Sequence, residues 1–165
     1  MDDGTGDEVE RILADWRRQR PDLDPSPMGV FGRIARVAAR SKADLTDVLS
    51  VYDLTPASFD VLANLRRSDP PHRKTPGELA ESSMMSTGGM TFRVDKLTEA
   101  GLVVREPAED DRRVVYVRLT DKGQTVIDEV IEVHIARRAR LLADFDRSEL
   151  EALAASLAKL DTDWL

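Results

Sequence analysis

The feature that most constrains the fold of this chain is a pair of β-rich runs near its middle. The runs are LVVR at 102–105 and VVYVRL at 114–119, and the polar loop EPAEDDRR separates them. Runs rich in valine on either side of a polar loop are typical of a β-hairpin. Most other apolar residues recur at spacings of three and four, which is the helical period. We therefore expect a mainly α-helical fold that contains a small β-hairpin.

Helices are predicted on both sides of the hairpin. A short amphipathic helix is expected around residues 9–16, a linker at 21–27 because of its three prolines, and a longer helix from Val30 to about Val51. Thr55 and Pro56 supply an N-cap hydroxyl and a first-turn proline for the next helix. After the hairpin, Thr120 opens a long helix. Asp146–Glu149 then forms a capping box, before a seam made by the leucines at 150, 153, 157 and 160 with Trp164.

The residues before the hairpin predict two short helices joined by a turn. Thr75 and Glu78 form a capping box for the first. Ser86 is expected to cap the second, whose inward face holds Met90, Val94 and Leu97, and Gly101 supplies a left-handed residue after its end. A helix, a turn, a second helix and a hairpin follow one another in a winged helix-turn-helix. We therefore expect a DNA-reading unit at residues 75–119.

In such a unit the N-terminal end of the second helix enters the major groove. Small residues there allow the backbone to approach DNA, although two glycines also weaken a helix start. An arginine at the tip of the hairpin can enter a narrow minor groove, although a charged loop can also be merely solvated. The predicted DNA contacts are Thr75, Ser86, Thr87, Gly88, Gly89, Thr91, Phe92, Lys96, Arg112 and Arg113.

The charge of the chain limits how it can bind DNA. The formal net charge is −7, whereas residues 84–122 contain seven basic and seven acidic side chains and are neutral. A neutral DNA-binding segment in an otherwise acidic protein can bind DNA if its basic side chains lie on one face. Binding of this kind is expected to be highly salt-sensitive.

Several other classes of protein are disfavoured by the sequence. There is no cysteine, and the only histidines are His72 and His134, so neither a metal site nor a cofactor is expected. We find no nucleophile–base pair and no phosphate-binding loop, so the chain is not expected to be an enzyme. No apolar run approaches 20 residues and the first residues are acidic, so we expect a cytoplasmic protein without a membrane span. A helical adaptor that does not bind DNA remains an alternative.

Three blocks of the sequence resemble the MarR family of bacterial regulators. They are LTPASFDVL at 54–62, TPGELAESSMMSTGGMTFRVDKLTEAGLV at 75–103 and DDRRVVYVRLTDKG at 110–123. The resemblance implies a homodimer that binds a pseudo-palindromic operator on double-stranded DNA, most often as a repressor released by a small ligand. It also implies dimerisation helices at 1–53 and 120–165, with the residues at 1–53 also covering the ligand pocket, and a DNA-binding lobe at 54–119.

The chain is also similar to a urate-responsive subgroup of this family, which has an extra N-terminal helix bearing a tryptophan. The resemblance implies a ligand set of Trp16, Asp60, Arg93 and Arg105 for a small anion such as urate or, as in related regulators, trans-aconitate. Arginine forks and an indole face suit a flat anionic ligand, including a phenolic or aromatic acid. The alternative is that these residues have a structural role, in which Asp60 forms a salt bridge with an arginine and Trp16 makes a packing contact.

One position departs from the family pattern. Where the family often has asparagine before the arginine of the second helix, this chain has Phe92. The change leaves the docking mode intact but alters the expected base preference, since phenylalanine can contact a thymine methyl group.

Overall fold

The computed structural model describes residues 7–83, 89–108, 110–111 and 113–162. The mainly helical fold with a small antiparallel sheet that the sequence predicts is confirmed. Within the described residues the elements are α1 (Glu8–Gln19), α2 (Ser26–Ser50), α3 (Pro56–Arg66), β1 (Arg73–Lys74), α4 (Pro76–Glu81), α5 (Met90–Glu99), β2 (Val103–Pro107), β3 (Val115–Leu119), α6 (Asp121–Leu141) and α7 (Arg147–Thr162).

The chain divides into two compact units, Met1–Asp47 and Val48–Leu165. In the first unit, α1 buries Val9 and Leu13 on its apolar face. Helix α2 passes close to this face, because a Cβ atom added at Gly29 would lie 2.9 Å from Cδ1 of Leu13. The first unit is therefore a pair of helices in contact, which agrees with the short amphipathic helix predicted at 9–16.

Helix α2 begins earlier than the sequence suggested. It starts at Ser26, so Pro27 lies in its first turn rather than in a linker. Proline is tolerated there because the first backbone N–H groups of a helix have no partner within the helix. The carboxylate of Asp24 accepts a hydrogen bond from the backbone N–H of Ser26 at 3.0 Å. The prediction that placed the helix start near Val30 was therefore wrong by about one turn.

The core of the second unit lies between α3, α5, α6 and the sheet. Its fully buried members come from each of these elements and include Leu62, Leu65, Val94, Val117 and Ile127. The predicted caps of α3 and α6 are both present, since Thr55 accepts from the N–H of Ser58 and Thr120 from that of Gly123. The capping residues therefore fix where the helices begin, and aliphatic packing holds them together.

The sheet has three strands in the order β1-β3-β2, all antiparallel, and not the two that the sequence predicted. Strand β1 consists of Arg73 and Lys74 alone, which is too short to show an alternating pattern. Strand β2 also extends to Pro107, two residues into the segment expected to be a loop. In the register of β2 and β3, Arg105 lies opposite Val117.

Helix α7 exposes its apolar residues. The predicted capping box is confirmed, as Asp146 and Glu149 exchange hydrogen bonds at 2.8 and 2.9 Å. None of the described residues of α7 is buried, and Leu153, Leu157 and Leu160 are 37–44% exposed. Trp164, expected in the same seam, lies outside the described residues. None of the described helices is long and apolar enough to cross a membrane.

Candidate DNA interface and ligand cavity

Helices α4 and α5 form the two helices of the predicted helix-turn-helix. Thr75 caps α4 in a complete capping box: its hydroxyl accepts from the N–H of Glu78 at 3.2 Å, and the Glu78 carboxylate accepts from the N–H of Thr75 at 2.7 Å. This backbone hydrogen bond from Thr75 lowers the pKa of Glu78. Leu79 is fully buried. The capping box thus fixes the direction in which α4 enters the motif.

The inward face of α5 is the one that the sequence predicted. Met90, Val94 and Leu97 are buried. Phe92 points away from this core and is 65% exposed, and Thr91 beside it is also exposed. An aromatic side chain exposed in the first turn of the helix gives α5 an apolar contact surface where base edges would lie.

The start of α5 differs from the prediction. The helix begins at Met90, not near Ser86, and Gly89 precedes it with a φ of +81°. This left-handed conformation favours glycine, so Gly89 ends the turn rather than forming part of the helix. The other small residues predicted to approach DNA, Ser86, Thr87 and Gly88, lie outside the described residues.

A polar cluster that was not predicted from the sequence surrounds the side chain of Asn64. Asn64 of α3 is only 1% exposed, and its side-chain amide donates to the carbonyl of Ser82 at 2.8 Å. The ammonium of Lys74 donates to the Asn64 side-chain oxygen at 2.7 Å and to the Ser82 hydroxyl at 3.0 Å. This cluster joins α3, β1 and the end of α4. Its one sequence signal is an asparagine at an inward position of α3.

The wing is the loop between β2 and β3 together with the ends of both strands. Arg113 lies near its tip, with a side chain that is 91% exposed and bonded to the Asp111 carboxylate at 2.9 Å. The Arg113 guanidinium lowers the pKa of Asp111. Its predicted neighbour at the tip, Arg112, lies outside the described residues. Arg113 thus lies on the exposed surface of the wing, paired with Asp111.

Acidic side chains near the outer face of α5 are paired within the chain. Arg105 of β2 donates to the Asp95 carboxylate at 2.7 Å, with side chains 40% and 50% exposed. Lys96 pairs with Glu99 at 2.7 Å, and hydrogen bonding to Glu99 raises the pKa of Lys96. Neither Asp95 nor Glu99 therefore presents an unpaired charge. The basic side chains of Arg105 and Lys96 thus offset the acidic side chains of Asp95 and Glu99.

A cavity of about 610 Å³ lies beside α5 within the second unit. Its basic lining residues are Arg93, Lys96 and Lys122, and its aromatic ones are Tyr52 and Phe92. The ammonium of Lys122 donates to the carbonyl of Ala100 at 2.9 Å, so it is held at the cavity. A cavity with several cations and aromatic rings suits a small aromatic anion.

The four residues of the predicted ligand set have different surroundings. Trp16 belongs to the first unit, where it lines a cavity of about 170 Å³ with Met28 of α2 and residues of the segment between α1 and α2. Asp60 accepts a hydrogen bond from the Ser83 hydroxyl, and half-buried Arg93 lines the cavity beside α5. Arg105, which belongs to the same expected ligand set, is on the surface and bonded to Asp95, because its place on β2 brings it alongside α5.

No group of three potential metal ligands lies together among the described residues.

The comparisons with known proteins agree on the family. The MarR family model matches residues 52–114. The chain is 38% identical over 154 residues to the HTH-type transcriptional regulator PecS of Dickeya dadantii (strain 3937), with 93% of each chain covered.

Solved structures of this family have the same fold. The MarR family regulator AbsC of Streptomyces coelicolor superposes with a TM-score of 0.74 at 25% identity, covering 84% of this chain and 94% of that one. BpsR of Bordetella bronchiseptica, whose DNA binding is described as regulated by 6-hydroxynicotinic acid, gives a TM-score of 0.68 over 82% and 94% of the two chains. At 20% identity this likeness concerns the fold alone.

The resemblance to the MarR family is thus confirmed, and with it the expectations of a winged helix-turn-helix and of a protein that is not an enzyme. This chain belongs to the MarR family of DNA-binding transcriptional regulators.

Proposed function

We propose that the chain is a homodimeric repressor that binds a pseudo-palindromic operator and is released by a small anionic ligand. The observation that carries the DNA-binding part is the arrangement of α5 and the wing. Exposed Phe92 and outward-pointing Arg113 lie on the two elements that read DNA in winged helices. The DNA contacts expected at Thr75, Gly89, Thr91 and Lys96 belong to the same proposal.

The dimer is supported by apolar surface on the helices that flank the DNA-binding lobe. The described part of α7 exposes a leucine stripe, and the end of α6 exposes Ile135 at 60% and Leu141 at 68%. A 16-residue helix with an exposed apolar stripe is marginal by itself in water, and burial against a second copy would stabilise it. Residues 1–53 and 120–165 are accordingly assigned to dimerisation, and residues 54–119 to DNA binding.

The ligand part of the proposal rests on the cavity beside α5. Its lining has three basic residues against one acidic residue, Asp53, which would favour an anion, and Tyr52 and Phe92 would favour an aromatic or planar one. BpsR, which shares the fold, is described with an aromatic carboxylic acid as its regulator. Urate and trans-aconitate remain the candidates that the ligand set Trp16, Asp60, Arg93 and Arg105 implies.

Release requires a ligand that binds the free protein more tightly than the DNA-bound protein. Phe92 and Lys96 line the cavity and also lie on the proposed DNA-facing side of α5. A ligand there would therefore compete with DNA for the same side chains.

A thermal-shift screen would test the ligand part, using urate, xanthine, trans-aconitate and 6-hydroxynicotinic acid. A ligand present at 100 times its Kd stabilises the folded protein by about 2.7 kcal/mol, which gives a clear rise in Tm. We expect Arg93→Ala to abolish the rise caused by the active compound, whereas Arg66→Ala, which does not line the cavity, retains it. A rise that persists in Arg93→Ala would contradict the assignment of Arg93.

The DNA part is tested by fluorescence anisotropy with a duplex enriched from a random pool by the wild-type chain. We expect tight binding that weakens steeply with salt, and dissociation when the active compound is added. If the protein binds DNA and none of the four compounds releases it, the DNA-binding part of the proposal stands and release by these ligands is refuted.

A further inference from the structure

Asp95 lies on the exposed side of α5, where a negative charge opposes DNA binding. Double-stranded DNA carries one negative charge for about every 1.7 Å of its axis. A carboxylate on the helix that enters the groove is therefore repelled by nearby phosphates unless a cation compensates for it. The half-exposed Asp95 side chain is in this position, three residues after Phe92.

The cation that compensates for Asp95 comes from the wing. One guanidinium nitrogen of Arg105 lies 2.7 Å from Oδ1 of Asp95, ten residues away in the sequence. Strand β2 holds Arg105 in place, because its backbone is paired with that of Val117 in β3. The pair thus joins α5 to β2 by a single charge-assisted hydrogen bond.

We propose that Arg105 serves DNA binding indirectly, by neutralising Asp95 on the face of α5 that approaches the DNA. This rests on the proposed function, which places α5 against DNA. It gives Arg105 a role that does not depend on a ligand and makes Asp95 a determinant of affinity that the sequence analysis did not identify. Since both side chains are substantially exposed, the pair contributes little to folding.

The neighbouring pair of Lys96 and Glu99 is less informative, because Lys96 is itself an expected DNA contact. Arg105 and Asp95 are not among the predicted DNA contacts. Their variants therefore separate neutralisation of the Asp95 charge from direct contact with DNA. The pair of Arg66 in α3 and Asp128 in α6, at 2.6 Å and with similar exposure, is a matched control that involves neither α5 nor β2.

The test is a double-mutant cycle, measured by fluorescence anisotropy on a duplex enriched from a random pool by the wild-type chain. We expect Arg105→Ala to weaken DNA binding about ten-fold, because it exposes the Asp95 charge to the phosphates. In the Asp95→Asn background the same change is expected to cost less than two-fold, so the double variant regains most of the lost affinity. In the control pair, Arg66→Ala is expected to change affinity by less than two-fold in either background.

An equal loss on Arg105→Ala in both backgrounds would overturn the inference, because it would mean that Arg105 contacts DNA by itself. So would a loss of affinity on Asp95→Asn alone, which would make Asp95 a direct reader of a base. Wild-type protein that fails to bind any enriched duplex at low salt would instead refute the proposed function, and the inference with it. Far-UV circular dichroism and urea unfolding of each variant confirm that the fold is retained.

Discussion

Gly123 is the residue at which the first turn of α6 packs against the backbone that follows α5. A Cβ atom placed there would lie 1.9 Å from the carbonyl oxygen of Leu102 and 2.8 Å from its carbonyl carbon. The same carbonyl accepts a hydrogen bond from the N–H of Thr120 at 3.1 Å. The contact therefore joins the DNA-reading lobe to the helix proposed for dimerisation.

Gly123→Ala is expected to destabilise the protein by about 3 kcal/mol. To reach an ordinary contact of 3.4 Å the Leu102 carbonyl must retreat by about 1.5 Å. Overpacking of this kind costs roughly 1–3 kcal/mol, and the upper part of the range applies because the obstacle is backbone. Loss of the hydrogen bond from Thr120 adds about 1 kcal/mol, and the better helix propensity of alanine offsets about the same amount.

Urea unfolding followed by far-UV circular dichroism measures this loss. With an m-value near 2 kcal/mol/M, the midpoint is expected to fall by about 1.5 M. All samples need the same protein concentration, since the proposed dimerisation would make stability concentration-dependent. The control is Gly77→Ala in α4, where the added Cβ meets only the Thr75 hydroxyl at 3.8 Å, so stability is expected to hold or rise. A Gly123→Ala variant within about 0.5 kcal/mol of wild type would refute the packing argument.

Three further predictions concern the wing and α7. Arg113→Ala is expected to weaken DNA binding and to lower the slope of log affinity against log salt by about one, as measured by anisotropy at several salt concentrations. Leu157→Asp is expected to shift the dimer toward monomer in sedimentation velocity, because it places a charge in the exposed leucine stripe of α7. The pKa of Glu106 is lowered from 4.5, chiefly by hydrogen bonding to Arg118, so this pair stabilises the fold above pH 4.5 and less as pH falls through the lowered pKa. In urea unfolding, the advantage of wild type over Glu106→Gln should therefore shrink between pH 6 and pH 3, and an advantage that grows would contradict the assignment.

Local sequence chemistry predicted the starts of α3, α4, α6 and α7. Thr55, Thr75, Thr120 and Asp146 all cap the helices expected of them. A cap needs only a side-chain oxygen and backbone groups two or three residues later, so the sequence carries all of the information. The inward face of α5 was predictable for a similar reason, because it follows from the helical period alone.

Features that depend on distant residues were not predictable. Strand β1 has two residues, and only its pairing with β3 makes it a strand. The partner of Arg105 depends on how β2 lies beside α5, and no sequence pattern favours Asp95 over Asp60 as that partner. The start of α5 was misplaced because Ser86 is a good cap by type, whereas the left-handed φ of Gly89 sets the first residue.

In the proposed complex, two copies of this chain bind one operator, each through α5 and the wing. Hydroxyl-radical footprinting on the enriched duplex, with the protein-to-DNA ratio titrated, tests this arrangement. We expect two chains per duplex and protected patches in two half-sites, with centres about 10 bp or a multiple of one helical turn apart. One protected half-site bound by a single chain, or uniform protection without half-sites, would contradict it.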